Sequence, residues 1–319
     1  MTEILTPDNK RIELRINNSP IQIELKPGRL VPKLGCLGPE GTYTEEARDS
    51  FLIDNNSHNM QKDFLPKNVE VVEKVDNGEY DIGVIPVENL IEGEVIDVWK
   101  ALIRTNNINI LAETILSIQH MLIGRPDEEI STILSHEQAL GQSRDFLTKN
   151  YPQAKLLSTT STAKAVEEIR SIPNAAAIAS RKVAQMHKMS VLAENIGDNP
   201  SNATRFYLIG RGETEPSGDD ITTAIIYPPQ NRIGVLRDCL NVLAENNVNL
   251  TNIRSYPMRK QMGEYLFLVS FNGHQKDDSV ATALRELWDR HKASSKIFGS
   301  YKRAELPKGA RDPGFVNGY

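Results

Sequence analysis

From Lys33 to Gly210 one pattern recurs: a short apolar run, a polar loop, then apolar residues at helical spacing. KLGCLG leads into GPEGT, after which Tyr43, Ala47 and Phe51 fall on one helix face. VEVVEKV and DIGVIPV read as further strands, and Val95, Val98 and Leu102 mark a helix. The long apolar stretch INILAETILSIQHMLIG begins a second unit of the same kind. There ISTILS leads to a helix after His136, KLLST to one carrying Ala163, Val166 and Ile169, and AAAIAS to a third, before ATRFYLIGR supplies a last strand. Strands alternating with helices imply parallel pairing and an α/β layer. Two such lobes joined by crossing strands leave a cleft between them, a usual place for a small ligand.

The pattern stops at GRGETEPSGDD, a polar linker with Gly and Pro. Beyond it come the strand TTAIIY, a helix with Leu236, Leu240 and Leu243 on one face, and the strand LTNIRSYP. An alternating strand with Tyr265, Phe267, Val269 and Phe271, a helix with Val280, Leu284, Leu287 and Trp288, and the strand KIFGSY complete a ferredoxin-like βαββαβ order. Residues 11–25 alternate around Asn17-Asn18-Ser19-Pro20 as a small hairpin, read as an appendage. The expected division is 1–32 N-terminal extension, 33–211 two-lobed domain, 212–219 linker, 220–304 second domain and 305–319 tail.

Composition narrows the function classes. With 319 residues, 25% of them charged, and a net charge of -5, the chain offers no basic footprint for nucleic acid. No apolar run approaches the ~20 residues of a membrane span, and no signal-peptide core interrupts the charges of the first thirty residues. Cys36 and Cys239 stand far apart without neighbouring ligands, which points to a reducing compartment and a cytoplasmic protein. Gly35, Gly38 and Gly41 do not make a dinucleotide fingerprint, and His120 and His136 have no metal-ligand spacing, so neither cofactor nor metal is expected. No G-x-S-x-G elbow is present.

What the strand-to-helix junctions share is small alcohols: Thr42 after GPEG, Ser135-His136, Ser158 to Thr162, and Ser180. Each reads as an N-cap beside free backbone N–H groups. Several aimed at one cleft would make an anion site without a metal, because helix starts carry partial positive charge. The stretch DNPSNATRF allows three readings of Thr204 and Arg205: a glycosylation sequon at Asn202, a turn into a strand, or a hydroxyl and guanidinium facing the cleft.

Taken in order, GPEGTYTEEA, GVIPVEN with EG following, SHEQALGQ, TSTAKA, AAIAS and NATRF resemble the prephenate dehydratase family. GVLRDCL, NVNLTNI and the closing GSY are similar to that family's ACT regulatory domain, and the resemblance runs over about residues 33–302. It implies a two-lobed, periplasmic-binding-protein-like catalytic domain, and loss of water and carbon dioxide from prephenate to give phenylpyruvate in phenylalanine biosynthesis. It implies Thr204 as proton donor, with Arg205 and Phe206 shaping the site. Thr42, Asn89, Ser135, His136, Gln138, Ser161 and Thr162 are then candidates for carboxylate and hydroxyl contacts. Gly234, Val235, Leu236, Asn249, Leu250, Arg254, Ser255, Tyr256 and Pro257 are candidates for an effector site, with L-phenylalanine as the effector and a homodimer or homotetramer as the assembly.

Departures accompany the likeness. Leu90 stands where the family has serine, Ile233-Gly234-Val235-Leu236 where it has Pro-Gly-Ala-Leu, and Arg254-Ser255-Tyr256-Pro257 where it has Glu-Ser-Arg-Pro. The last predicts altered or absent inhibition by phenylalanine. The short, β-like N-terminal extension predicts no chorismate mutase activity. A prephenate decarboxylase and a non-catalytic amino-acid sensor are the competing readings.

Overall fold

The computed structural model describes residues 3–5, 10–16, 19–53, 59–228, 232–257 and 265–307. The expected turn residues Asn17 and Asn18, and the tail from residue 308, lie outside them.

The chain opens with β1 (Glu3–Leu5), β2 (Lys10–Ile16) and β3 (Ser19–Glu24). The first lobe follows: β4 (Lys33–Leu37), α1 (Tyr43–Leu52), β5 (Gln61–Leu65), α2 (Asn68–Asp76), β6 (Ile82–Asn89), the short β7 (Gly93–Glu94), α3 (Ile96–Arg104) and β8 (Asn109–Ser117). The chain crosses to the second lobe with β9 (Met121–Gly124), β10 (Thr132–His136), α4 (Glu137–Gly141), α5 (Arg144–Asn150), β11 (Lys155–Thr159), α6 (Thr162–Ile169), β12 (Ala175–Ala179), α7 (Arg181–Met186) and β13 (Ser190–Ala193). It then returns to the first lobe through β14 (Ala203–Gly210) and β15 (Gly212–Thr214). The first sheet has the order β5-β4-β6-β14-β8 and the second β11-β10-β12-β9-β13.

Residues 69–75, VEVVEKV, form the body of α2 rather than the strand their valines suggest. Val71, Val72 and Val75 all reach the core, a spacing a helix satisfies and a strand does not. INILAETILSIQHMLIG is split between the lobes, β8 in the first sheet and β9 in the second, so it is a crossing and not the start of one unit.

The N-terminal hairpin is no appendage. Ile12, Leu14, Ile16, Ile21, Ile23 and Leu25 bury their alternating face with Leu34, Phe51, Phe206 and Leu208 of the first lobe. β3 also pairs with β15, which makes the first part of the expected linker a strand. Asp81, itself buried, fastens the connection by accepting from the backbone N–H of Lys26 at 3.1 Å and Lys33 at 2.8 Å and from Arg29 Nη1 at 2.9 Å.

The C-terminal domain is β16 (Asp220–Tyr227), α8 (Val235–Glu245), β17 (Leu250–Pro257), β18 (Tyr265–Asn272), α9 (Asp278–His291) and β19 (Ser294–Lys302), with sheet order β17-β18-β16-β19. Its helices cover one face through Cys239, Val242, Leu243, Val280, Ala283 and Leu287, while Trp288 stays exposed. The other face, with Ile221, Ile225, Leu266, Leu268, Phe298 and Tyr301, shares a core with Trp99, Leu102, Ile110 and Tyr207 of the first lobe. β18 is thus apolar on both faces, because both are covered.

Candidate active site

Parallel strands fix where the polar loops emerge. β4 runs parallel to β5 and β6, and β10 to β11 and β12, so the loops that follow leave from one edge of each sheet. β14 runs antiparallel to β6, which returns its first residues to the edge where β6 ends and pairs Thr204 with Asn89. At those edges Thr42 Oγ1 accepts from Glu45 N at 3.4 Å, Ser161 Oγ from Lys164 N at 3.1 Å, His136 Nδ1 from Gln138 N at 3.3 Å and Ser180 Oγ from Val183 N at 3.5 Å.

The lobes meet at these helix starts. Gly41, at φ +86°, leaves no room for a side chain: a Cβ there would lie 2.8 Å from Val183 Cγ2 and 3.6 Å from the Ala163 Cβ. Nearby, Lys182 of α7 bridges to Glu45 at 3.1 Å and Asp49 at 2.9 Å on α1. The Tyr43 hydroxyl donates to the Gln119 carbonyl at 2.5 Å.

Thr204 is held by a closed ring of hydrogen bonds, all running the same way. Glu92 N donates to Asn89 Oδ1 at 3.0 Å, and Asn89 Nδ2 to Asn202 Oδ1 at 2.9 Å. Asn202 Nδ2 then donates to Gln142 Oε1 at 3.2 Å, and Gln142 Nε2 to Glu92 Oε1 at 3.2 Å. A backbone N–H only donates and a carboxylate only accepts, so both ends at Glu92 force the amide orientations. Asn89 Nδ2 also donates to Thr204 Oγ1 at 2.9 Å, with a longer contact of 3.3 Å to the Ala203 carbonyl. With Oγ1 accepting from the amide, the Thr204 proton is left to point elsewhere. His120 Nε2 lies 2.9 Å from Gln142 Oε1, which only accepts, so the imidazole carries its proton on Nε2. Burial lowers the His120 pKa, favouring the neutral ring.

With this geometry, the chain's kinship is clear. The family model for prephenate dehydratase matches residues 34–214, and that for the ACT domain matches residues 229–289. The chain belongs to the prephenate dehydratase family. It is 34% identical over 266 residues to a protein of Methanocaldococcus jannaschii named prephenate dehydratase, covering 82% of this chain and 95% of that one. It is 33% identical over 278 residues to a bifunctional chorismate mutase/prephenate dehydratase of Aquifex aeolicus, 86% of this chain and 74% of that one. A crystal structure of prephenate dehydratase from Arthrobacter aurescens in complex with L-Phe superposes with a TM-score of 0.75 at 30% identity, over 89% of this chain and 96% of that one.

In this prephenate dehydratase family member the other expected site residues fall in different places. Arg205 points to the opposite face of the sheet from Thr204, as neighbours on a strand must. There its Nη1 donates to Glu113 Oε2 at 2.6 Å and its Nε to Glu88 Oε2 at 3.3 Å. Burial opposes its charge, but Glu113 beside it more than compensates and its pKa is raised. Phe206 is 2% exposed and packs beneath the site with Phe51 and Leu208. Ser135 is sealed between strands, donating to the Ile178 carbonyl at 2.6 Å, so it stitches β10 to β12. His136 and Gln138 are exposed at the start of α4, and Ser161 and Thr162 are half-buried at the start of α6.

Asn202, Gln142 and His120 were not among the expected site residues, yet they are the ones joined to Thr204 through Asn89. The motifs NATRF and SHEQALGQ contained the first two. His120 lay in an apolar stretch and gave no signal. Cys36, beneath α1, is no nucleophile: burial pushes its thiol up to about 11. Among the described residues no cluster of His, Cys, Asp and Glu could hold a metal ion, and no helix is long and apolar enough to cross a membrane.

In the ACT domain, Gly234 caps α8 at φ +82°, and Val235 and Leu236 begin that helix. Asn249 and Leu250 lead into β17, where the Asn249 carbonyl accepts from Asn272 N at 2.9 Å. Ser255 and Pro257 are exposed, whereas Arg254 and Tyr256 reach the catalytic domain: the Tyr256 hydroxyl donates to Glu94 Oε2 at 2.7 Å and Arg254 Nε to Glu94 Oε1 at 3.2 Å.

Proposed function

We propose that the cleft converts prephenate to phenylpyruvate and that Thr204 delivers the proton to the departing ring hydroxyl. The observation that carries the assignment is the direction of the Asn89–Thr204 hydrogen bond. It leaves the Thr204 proton available to the substrate and stabilises the charge that develops on Oγ1 as the proton moves. The two carboxylates of prephenate are received by the starts of α1, α4 and α6, where capping leaves backbone N–H groups of the first turn for a ligand. The electron pair of the breaking C–CO2 bond completes the aromatic ring and expels the protonated hydroxyl as water; one proton taken up from bulk solvent then restores the Thr204 hydroxyl. The substrate supplies the driving force, and the protein contributes orientation and one proton transfer.

Arg205 contributes from behind, holding β14 in place through Glu113 and Glu88. The ACT domain binds an amino-acid effector, and a homodimer or homotetramer forms through it, a role supported by the exposed Ile233, Tyr265 and Trp288. The enzyme works in the cytoplasm, on phenylalanine synthesis.

Incubating the full chain with prephenate and identifying the product tests the reading. Phenylpyruvate is expected. A non-aromatic keto acid would make the chain a decarboxylase, and ligand binding without turnover would make it a sensor. Thr204→Ala is expected to lower turnover by roughly 10²- to 10⁴-fold, the usual worth of a general acid, with an unchanged circular dichroism spectrum.

A further inference from the structure

We propose that Glu94 is a positioning residue through which the ACT domain sets the Asn89 amide and thereby the Thr204 hydroxyl. The inference rests on the proton-donor assignment of Thr204. β7 is 2 residues long and pairs only with β6, placing Gly93 opposite Asn89 and Glu94 opposite Glu88. Backbone pairing over so short a strand orders little by itself. The turn between them is organised by Asn89, whose Oδ1 accepts from the backbone N–H of Ile91 and Glu92, both at 3.0 Å. The position of the turn and the orientation of that amide are therefore one structural variable.

The ring through Glu92 sets the direction of that amide, and a further hold on the turn comes from another domain. Glu94 has a side chain only 14% exposed, and each of its oxygens is engaged from β17, Oε2 by the Tyr256 hydroxyl and Oε1 by Arg254 Nε. Arg254 and Tyr256 are alternate residues of one strand, so they present to the same side and grip the carboxylate together. A partly desolvated carboxylate with both oxygens occupied has one favourable place to sit. The path from the regulatory strand to the proton donor is then short: Tyr256 and Arg254 to Glu94, across the β7–β6 pairing to Asn89, and from its amide to Thr204. Asn89 can keep its hydrogen bond only while the turn holds its place.

Steady-state kinetics on the full chain with prephenate test this. Glu94→Ala is expected to lower kcat roughly tenfold with KM changed less than about twofold, because what is lost is alignment in the transition state. Tyr256→Phe, which keeps the ring and removes one bond, is expected to shift kcat in the same direction by a smaller factor. Glu94→Gln, whose amide oxygen still accepts from Tyr256, is expected to retain more turnover than Glu94→Ala. In a Thr204→Ala background, Glu94→Ala should cost nothing further, since its effect runs through that hydroxyl. Wild-type kcat in Glu94→Ala, a change confined to KM, or losses that multiply with Thr204→Ala would each overturn the proposal. Full turnover in Thr204→Ala alone would instead overturn the proton-donor assignment.

Discussion

A carboxamide differs from a carboxylate by a single donor, and at position 89 that donor decides which way a hydroxyl points. Asn89→Asp would place two acceptors face to face, so the Thr204 proton would turn inward to the new carboxylate. Turnover is expected to fall roughly 10²- to 10³-fold, comparable to losing a preorganised hydrogen-bond donor, with a smaller change in KM, as initial rates with prephenate will show. Two histidines set a pH limit on the fold. Burial lowers His120, and burial also lowers His274, whose Nδ1 accepts from Lys276 N at 3.1 Å. In the folded chain burial makes both hold a proton less readily, while in the unfolded chain they take up protons as pH drops below their ordinary value of 6.5. Their contribution to stability is therefore fully present above pH 6.5 and is lost as pH falls toward their lowered values. Urea midpoints measured from pH 7.5 down to pH 5 are expected to decline in that window, and less steeply in His120→Gln.

Among the elements, β14 carries unlike duties on its two faces: Thr204 and Phe206 on one, Arg205 and Tyr207 on the other. The N-terminal hairpin covers the first of these faces. Ile12→Ala and Ile23→Ala are each expected to cost about 2–5 kcal/mol in chemical denaturation, the range for a large-to-small change in a packed core; a mere appendage would give values near zero. That burial was not legible in the sequence, since an alternating hairpin looks the same whether its apolar face meets a partner domain or a partner molecule. α2 was misread for a different reason: valines favour strands locally, and only their common burial against β6 reveals the helix. β5 was missed because QKDFL is an edge strand with little apolar content. The capped helix starts at the strand ends were legible, because Gly, Ser and Thr at a strand's end are local signals. The ring around Thr204 was not, since Asn89, Gln142 and Asn202 come from distant parts of the chain and meet only in the fold.

At the scale of the whole molecule, catalytic and ACT domains are fused by one core. The Tyr301 hydroxyl donates to the Tyr207 hydroxyl at 2.9 Å and lies 2.7 Å from Thr223 Oγ1, all deeply buried. On the same junction Glu113 Oε1 accepts from Ala304 N at 2.9 Å while its other oxygen holds Arg205. Tyr301→Phe would take a partner from the buried Tyr207 hydroxyl, while Thr223 Oγ1 would keep Ser270 Oγ at 3.0 Å, and is expected to cost about 1–3 kcal/mol, read from the denaturation midpoint. The first lobe and the ACT domain are expected to unfold in a single transition, seen as coincident far- and near-ultraviolet dichroism curves. Trp99 stands at this junction, its ring 6.0 Å from that of Tyr207 and 6.3 Å from that of Phe298. The chain's other tryptophan, Trp288, is exposed on α9. A Trp288→Phe protein would therefore glow from a single indole lodged between the two domains, an unlabelled optical gauge of how tightly they dock.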